Sequence, residues 1–173
     1  ASVYGLKQTL GVGAPTCSLS DFIGTDLLVL FGTDLANNQP VTAKYMHYAK
    51  KAGTRIVVVN PYREPGLERY WVPSVVSSAV FGTKLMDDFF QVRVGGDLAF
   101  IQGAMKVMVE QGTVNSSFIE TYTDGFADLS ERLKQLSWPE IESSAGVSRA
   151  DLERFAGLYG RAKTAVLCYS MGL

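Results

Sequence analysis

The run Leu27-Leu28-Val29-Leu30-Phe31-Gly32-Thr33-Asp34-Leu35-Ala36-Asn37-Asn38-Gln39-Pro40 is a short apolar strand that breaks at a glycine and reopens as a helix. Helix starts at the carboxyl ends of such strands gather free backbone N–H groups and positive dipole, so phosphate is their natural guest. The stretch reads as a turn built to hold a nucleotide.

Its partner elements follow at the expected distance. Arg55-Ile56-Val57-Val58-Val59-Asn60-Pro61 is a second β-branched strand ending in a polar turn, and a helix-like run from Asn38 to Ala52, closed by Gly53, lies between the two. Together they make one strand-helix-strand unit of roughly 30 residues. A third strand, Phe89 to Val94, ends in Gly95-Gly96-Asp97 and feeds a helix from Leu98 to Gln111. Successive strands that deliver polar turns to one carboxyl edge imply an α/β fold, a Rossmann-like three-layer sandwich with a mostly parallel sheet.

Further along, Ala1 to Leu10 predicts a short helix and Leu19 to Gly24 a helical turn opened by Ser18 or Ser20. The segment from Pro61 to Asp88 is irregular. Loops of that size carry small helices or function, so one reading folds part of it over the nucleotide edge and the other makes it an insertion without ligand contact. After Gly112 the chain is helical and amphipathic, with helices expected at Ser116 to Tyr122, Ala127 to Leu136, from Trp138, and from Ser148 to about Gly160. Ser148 with Asp151 three residues on resembles a capping box. Thr164 to Tyr169 closes the pattern as a final strand.

At 173 residues and 47% hydrophobic composition, the chain is long enough for one well-filled core, and a single domain over 1–173 is expected. A net charge of −1 without a basic stripe argues against a nucleic-acid surface. No apolar run approaches the ~18 residues of a membrane span. The two cysteines, Cys17 and Cys168, stand near opposite ends without a CxxC partner, which suits a free-thiol cytoplasmic protein and supplies no metal cluster. His47 is the single histidine and is expected on a helix surface. Both chain ends read as cut from something longer.

Two common nucleotide chemistries fail on detail. The turn after the first strand lacks GxGxxG and the second strand ends in Asn60 rather than an acidic ribose clamp, while no Walker lysine follows the first strand. Asp97 invites a different reading, since an ionised carboxylate offers two acceptors that match the paired N–H donors of guanine and not the mixed edge of adenine. The same Asp could instead be a helix N-cap. Gly32 could be a helix-entry turn, Asn60 an Asx turn before Pro61, and Arg63 either a phosphate ligand or an ion-paired surface residue.

The ordered set Gly-Thr-Asp-Leu-Ala-Asn-Asn-Gln-Pro after the first strand, Asn-Pro-Tyr-Arg after the second and Arg-Val-Gly-Gly-Asp-Leu-Ala-Phe after the third resembles the molybdopterin oxidoreductases of the dimethyl sulfoxide reductase superfamily. The corresponding family patterns are GSNPAENHP, VDPR and RPGTDLAL. Glu110-Gln111-Gly112, Phe118-Ile119-Glu120, Thr123-Asp124-Gly125-Phe126 and Gly146-Val147 follow in the family's order, closest to its formate-dehydrogenase-like alpha subunits.

The resemblance implies a central domain that holds the guanosine end of molybdopterin guanine dinucleotide, with molybdenum and the catalytic residues outside this segment and the remaining domains of the parent subunit as partners. By position, Gly32, Thr33, Asp34 and Asn38 belong to the first loop beside pyrophosphate or ribose, Asn60 and Pro61 to the nucleoside, and Gly95, Gly96 and Asp97 to the base pocket. Asp34 departs from the family's Asn, Asn60 from its Asp, and Val94-Gly95-Gly96 from its Pro-Gly-Thr. The competing class is a non-catalytic nucleotide-binding or assembly domain without molybdenum, and fold alone does not separate the two.

Overall fold

Four strands, β1 (Leu27–Phe31), β2 (Arg55–Asn60), β3 (Asp88–Gln91) and β4 (Ala165–Tyr169), form one sheet in the order β3-β2-β1-β4 in a computed structural model that describes residues 2–73 and 75–169. Every pairing is parallel. The register sets Phe31 beside both Val59 and Tyr169, so the carboxyl ends of β1, β2 and β4 lie level. All five residues of β1 are buried, as are Ile56 to Asn60 of β2, which is why these strands read as continuous apolar runs rather than alternating ones.

The chain divides into two compact units, 1–91 with 164–173, and 92–163. In the first, helix α1 (Ser2–Leu10) and a 3-10 turn at Leu19–Phe22 precede β1. Of the two serines expected to open this turn, Ser18 is the N-cap, and its amide donates to Asp21 Oδ2 at 2.6 Å. Two helices follow β1, α2 (Leu35–Asn38) and α3 (Pro40–Lys51). The expected single helix from Asn38 is therefore divided, and the reason is local. Pro40 occupies the first turn of α3 and its ring drives the preceding residue out of the helical region, leaving Gln39 at φ −138° and ψ 72°.

Between β2 and β3 the irregular segment holds two small helices, α4 (Pro65–Glu68) and α5 (Val76–Phe81), and an antiparallel bridge between Tyr70 and Thr83. α4 packs on α2 so closely that a Cβ on Gly66 would come within 2.9 Å of the Ala36 Cβ. The core of this unit gathers Phe22, Leu28, Leu30, Met46, Ile56, Val58, Leu67, Leu85, Met86 and Val166. β3 ends at Gln91, three residues earlier than the sequence pattern suggests.

The second unit is helical: α6 (Asp97–Glu110), α7 (Ser116–Tyr122), α8 (Phe126–Gln135), α9 (Trp138–Ala145) and α10 (Arg149–Arg161). α8, α9 and α10 all pack on α6. Gly103 is the contact point, because a Cβ there would meet Leu152 at 2.7 Å and Ile141 at 2.8 Å. Phe100 and Phe155 cross edge to face at 4.9 Å between ring centroids. Ser148 caps α10 by accepting from the Asp151 amide at 3.2 Å, as its spacing predicts.

Among the described residues no helix is long and apolar enough to cross a membrane.

Candidate functional site

Strand order creates a candidate binding edge. β1 has β2 on one side and β4 on the other: the chain steps outward from β1 to β2 to β3 and then returns to set β4 against the opposite side of β1, reversing the strand order there. In open parallel sheets that reversal is where ligands bind.

Gly32 sits immediately beyond this end, at φ +57°, with its amide bonded to the Val59 carbonyl at 3.0 Å. The bond extends the β1–β2 ladder by one step and brings Gly32 beside Asn60. No atom lies within 4 Å of where a Gly32 Cβ would stand, so the glycine serves the left-handed turn and leaves open space at its surface. Thr33 is buried. Asn60 is also buried and its Nδ2 donates to the Tyr62 carbonyl at 3.0 Å, while the Pro61 carbonyl accepts from Gln91 Nε2 at 3.1 Å. The Asn60 amide thus holds the turn through its nitrogen.

Asp34 is an N-cap. Its Oδ1 accepts from the Asn37 amide at 3.4 Å and its Oδ2 from Asn37 Nδ2 at 2.7 Å. The helix it caps has four residues, too short to present the macrodipole of a long helix to an anion. Glu64 adds a second carboxylate nearby, its pKa raised by burial and by the charge of Asp34. Asn38 is exposed at the end of α2. Arg63 is ion-paired with Glu68 and lies 5.3 Å over the Phe89 ring, so the paired reading of that arginine holds.

In the second unit, Gly95 (φ +78°) again faces open space, whereas Gly96 does not. A Cβ on Gly96 would stand 2.8 Å from the Ser144 carbonyl and 2.9 Å from those of Ala145 and Arg93. Its glycine is demanded by close backbone packing against the end of α9. The cap position of α6 belongs to Gly96, with Asp97 the first helical residue, which corrects the N-cap alternative for Asp97. Asp97 Oδ1 is buried and has no hydrogen-bond partner among the described residues. A buried carboxylate oxygen left in that state is costly unless an outside donor meets it.

The structure also shows what sequence reasoning missed. A cavity of about 570 Å³ in the first unit is bounded by Leu35, Gln39 and Thr42 beyond β1, by Leu167 to Tyr169 of β4, and by Cys17. None of the expected site residues lines it. Only the strand order, which places β4 beside β1, could have revealed it. His47, expected at a helix surface, is buried, with Nδ1 3.1 Å from Thr83 Oγ1. Its place among Ala43, Met46 and Ala49 on the inner face of α3 was the available signal. No cluster of three or more His, Cys, Asp or Glu side chains suited to a metal occurs among the described residues.

No family model matches the chain. Protein YdeP of Escherichia coli strain K12 is 30% identical over 181 residues, covering 98% of this chain and 24% of that protein. The F420-dependent formate dehydrogenase 1 subunit alpha of Methanococcus maripaludis is 30% identical over 174 residues, covering 100% of this chain and 23% of that one. This chain is homologous to part of formate dehydrogenases and other oxidoreductases, in keeping with the superfamily that its ordered turns resemble. Its likeness lies with the formate-dehydrogenase branch of that superfamily.

The chain spans about a quarter of the length of the curated relatives it matches. The fold agrees as well. Acetylene hydratase from Pelobacter acetylenicus superposes with a TM-score of 0.71 at 20% identity, covering 87% of this chain and 19% of that one. A Rossmann-like α/β unit with a parallel sheet is what the superfamily resemblance implied and what the strands form.

Proposed function

We propose that this chain is a cofactor-binding segment of a larger, cytoplasmic, formate-dehydrogenase-like oxidoreductase and that it binds the guanosine end of molybdopterin guanine dinucleotide. The observation that carries the reading is the buried Asp97 Oδ1, which has no partner among the described residues. The donor set fits the group. A guanine edge presents two N–H donors to a carboxylate, and Asp97 has an oxygen waiting for one. At the sheet edge, Gly32 offers the open left-handed turn, and Thr33, Asn60 and Pro61 shape the ends of β1 and β2 beside it.

Bound, the cofactor supplies a molybdenum centre for redox chemistry, which the protein positions and tunes. This chain's own residues bind and orient the nucleotide end. Metal ligands and substrate contacts come from the rest of the parent subunit, so the chain alone is inactive.

Titration with GDP and ADP tests the reading. GDP binds more tightly than ADP, with a free energy of roughly 4–6 kcal/mol because most of the cofactor's anchoring surface is absent. Amide shifts move at Gly32 to Asn38, Asn60 and Gly95 to Asp97. Equal affinity for the two nucleotides, or shifts confined to the helices after Gly112, rejects the assignment.

A further inference from the structure

The cavity beside β4 brings together the only two thiols of the chain, Cys17 and Cys168, which stand 151 positions apart in sequence (168 minus 17). Cys17 is exposed and directly precedes Ser18, whose amide donates to Asp21 Oδ2 at 2.6 Å and pins the 3-10 turn. Cys168 is half-buried on β4, in register with Leu30 of β1, and packs against the core of the first unit. Neither thiol has a place in the nucleotide reading above.

We propose that Cys17 and Cys168 are a redox pair that closes to an intramolecular disulfide across this cavity when the chain meets a peroxide. The two thiols are unlike, and that difference orders the steps. Burial pushes the Cys168 thiol up to about 11, and the neighbouring Cys17 adds to the effect. Cys168 therefore stays protonated at neutral pH, and the accessible Cys17 reacts first.

The Cys17 thiolate attacks one peroxide oxygen, an S–O bond forms, the O–O bond breaks, and hydroxide leaves to take up a proton as water. Cys168 sulfur then attacks the Cys17 sulfenic sulfur. The S–S bond forms, the S–O bond breaks, and the departing hydroxide takes the Cys168 proton. Two thiols lose two electrons and two protons, and peroxide becomes two waters. The product ties the turn ahead of β1 to β4, beside Leu35 and Gln39 of the loop that follows Gly32.

The reduced chain is treated with hydrogen peroxide, quenched with iodoacetamide and weighed intact. The expected product is lighter by two hydrogens, carries no alkyl label on either cysteine, yields a joined Cys17–Cys168 peptide without reduction, and returns to the starting mass with dithiothreitol. In Cys168→Ser the first step still runs but cannot be resolved, so Cys17 is trapped by dimedone as sulfenic acid. Cys17 advancing to sulfinic acid in the unaltered chain while Cys168 remains alkylatable overturns the proposal. So does a disulfide that joins two chains through Cys17.

Discussion

His47 Nδ1 lies 3.1 Å from Thr83 Oγ1, and this contact docks α3 to the segment between β2 and β3. Thr83 Oγ1 is in turn 2.8 Å from Ser78 Oγ, which donates to the Tyr70 carbonyl at 3.2 Å and accepts from the Val72 amide at 2.9 Å. Since Ser78 spends its proton on Tyr70, Thr83 must donate to Ser78 and accept from His47. The imidazole proton is thereby assigned to Nδ1, and Nε2 is left buried without a partner among the described residues.

Stability should accordingly fall on mild acidification. Burial first, and the charge of Lys51 second, hold the His47 pKa below its ordinary 6.5. The unfolded chain thus takes up the proton at a higher pH than the folded one. The stabilisation is complete above the unfolded value and is lost as pH falls below about 6.5 toward the lower folded value. Melting temperatures measured between about pH 5 and 8 should decline at the acid end, and His47→Gln should flatten that decline. An identical acid profile in the variant would assign the loss to other groups.

Lys106 is a buried cation with a structural task. Its Nζ donates to the carbonyls of Leu133 at 3.0 Å and Lys134 at 2.9 Å, near the end of α8, and pairs with Glu110 at 3.1 Å. Lys106→Met keeps the bulk but leaves the carbonyls unmet, for an expected loss of about 1–3 kcal/mol in urea unfolding. Glu110→Gln, which removes only the more exposed partner, should cost less than about 1 kcal/mol.

The adjacent glycines Gly95 and Gly96 should separate by mechanism. Gly96→Ala forces a methyl against three carbonyl oxygens at under 3 Å and should destabilise by about 1–3 kcal/mol. Gly95→Ala meets no neighbour and bears only its left-handed backbone, roughly 1–2 kcal/mol. Because Gly95 faces open space, its alanine variant should also weaken GDP binding by more than its stability loss accounts for. Chemical denaturation alongside GDP titration reads both effects.

Asp97→Asn isolates base reading, because Asp97 is not the cap of α6. Loss of its charge from the first turn should cost about 0.3–1 kcal/mol of stability. Against guanine, an amide replaces one acceptor with a donor, and the unmet N–H should cost about 1–3 kcal/mol of binding. GDP affinity should drop about tenfold while ADP affinity stays unchanged. Unaltered GDP affinity would remove Asp97 from the base pocket.

Much of the first unit was legible locally. Continuous β-branched runs at Leu27–Phe31 and Arg55–Asn60, each followed by a turn and a helix, require strands buried on both faces and hence a parallel sheet. The Ser148 cap was also readable, and the cap at Leu19–Phe22 was narrowed to Ser18 or Ser20, because a cap involves residues within one helical turn. The ordered polar turns were enough to indicate the superfamily.

What the sequence could not decide depends on residues far apart in the chain. Placing β4 next to β1 rests on pairing across more than a hundred residues, and with it came the reversal of strand order and the cavity that unites Cys17 with Cys168. The burial of His47 needed Thr83 and Ser78 to arrive from another segment. Polar residues such as His47 and Lys106 carry a surface signature in any local window, and only packing reveals that distant hydroxyls and carbonyls satisfy them inside the protein. Composition and periodicity specify which elements form, whereas long-range contacts decide which side chains meet.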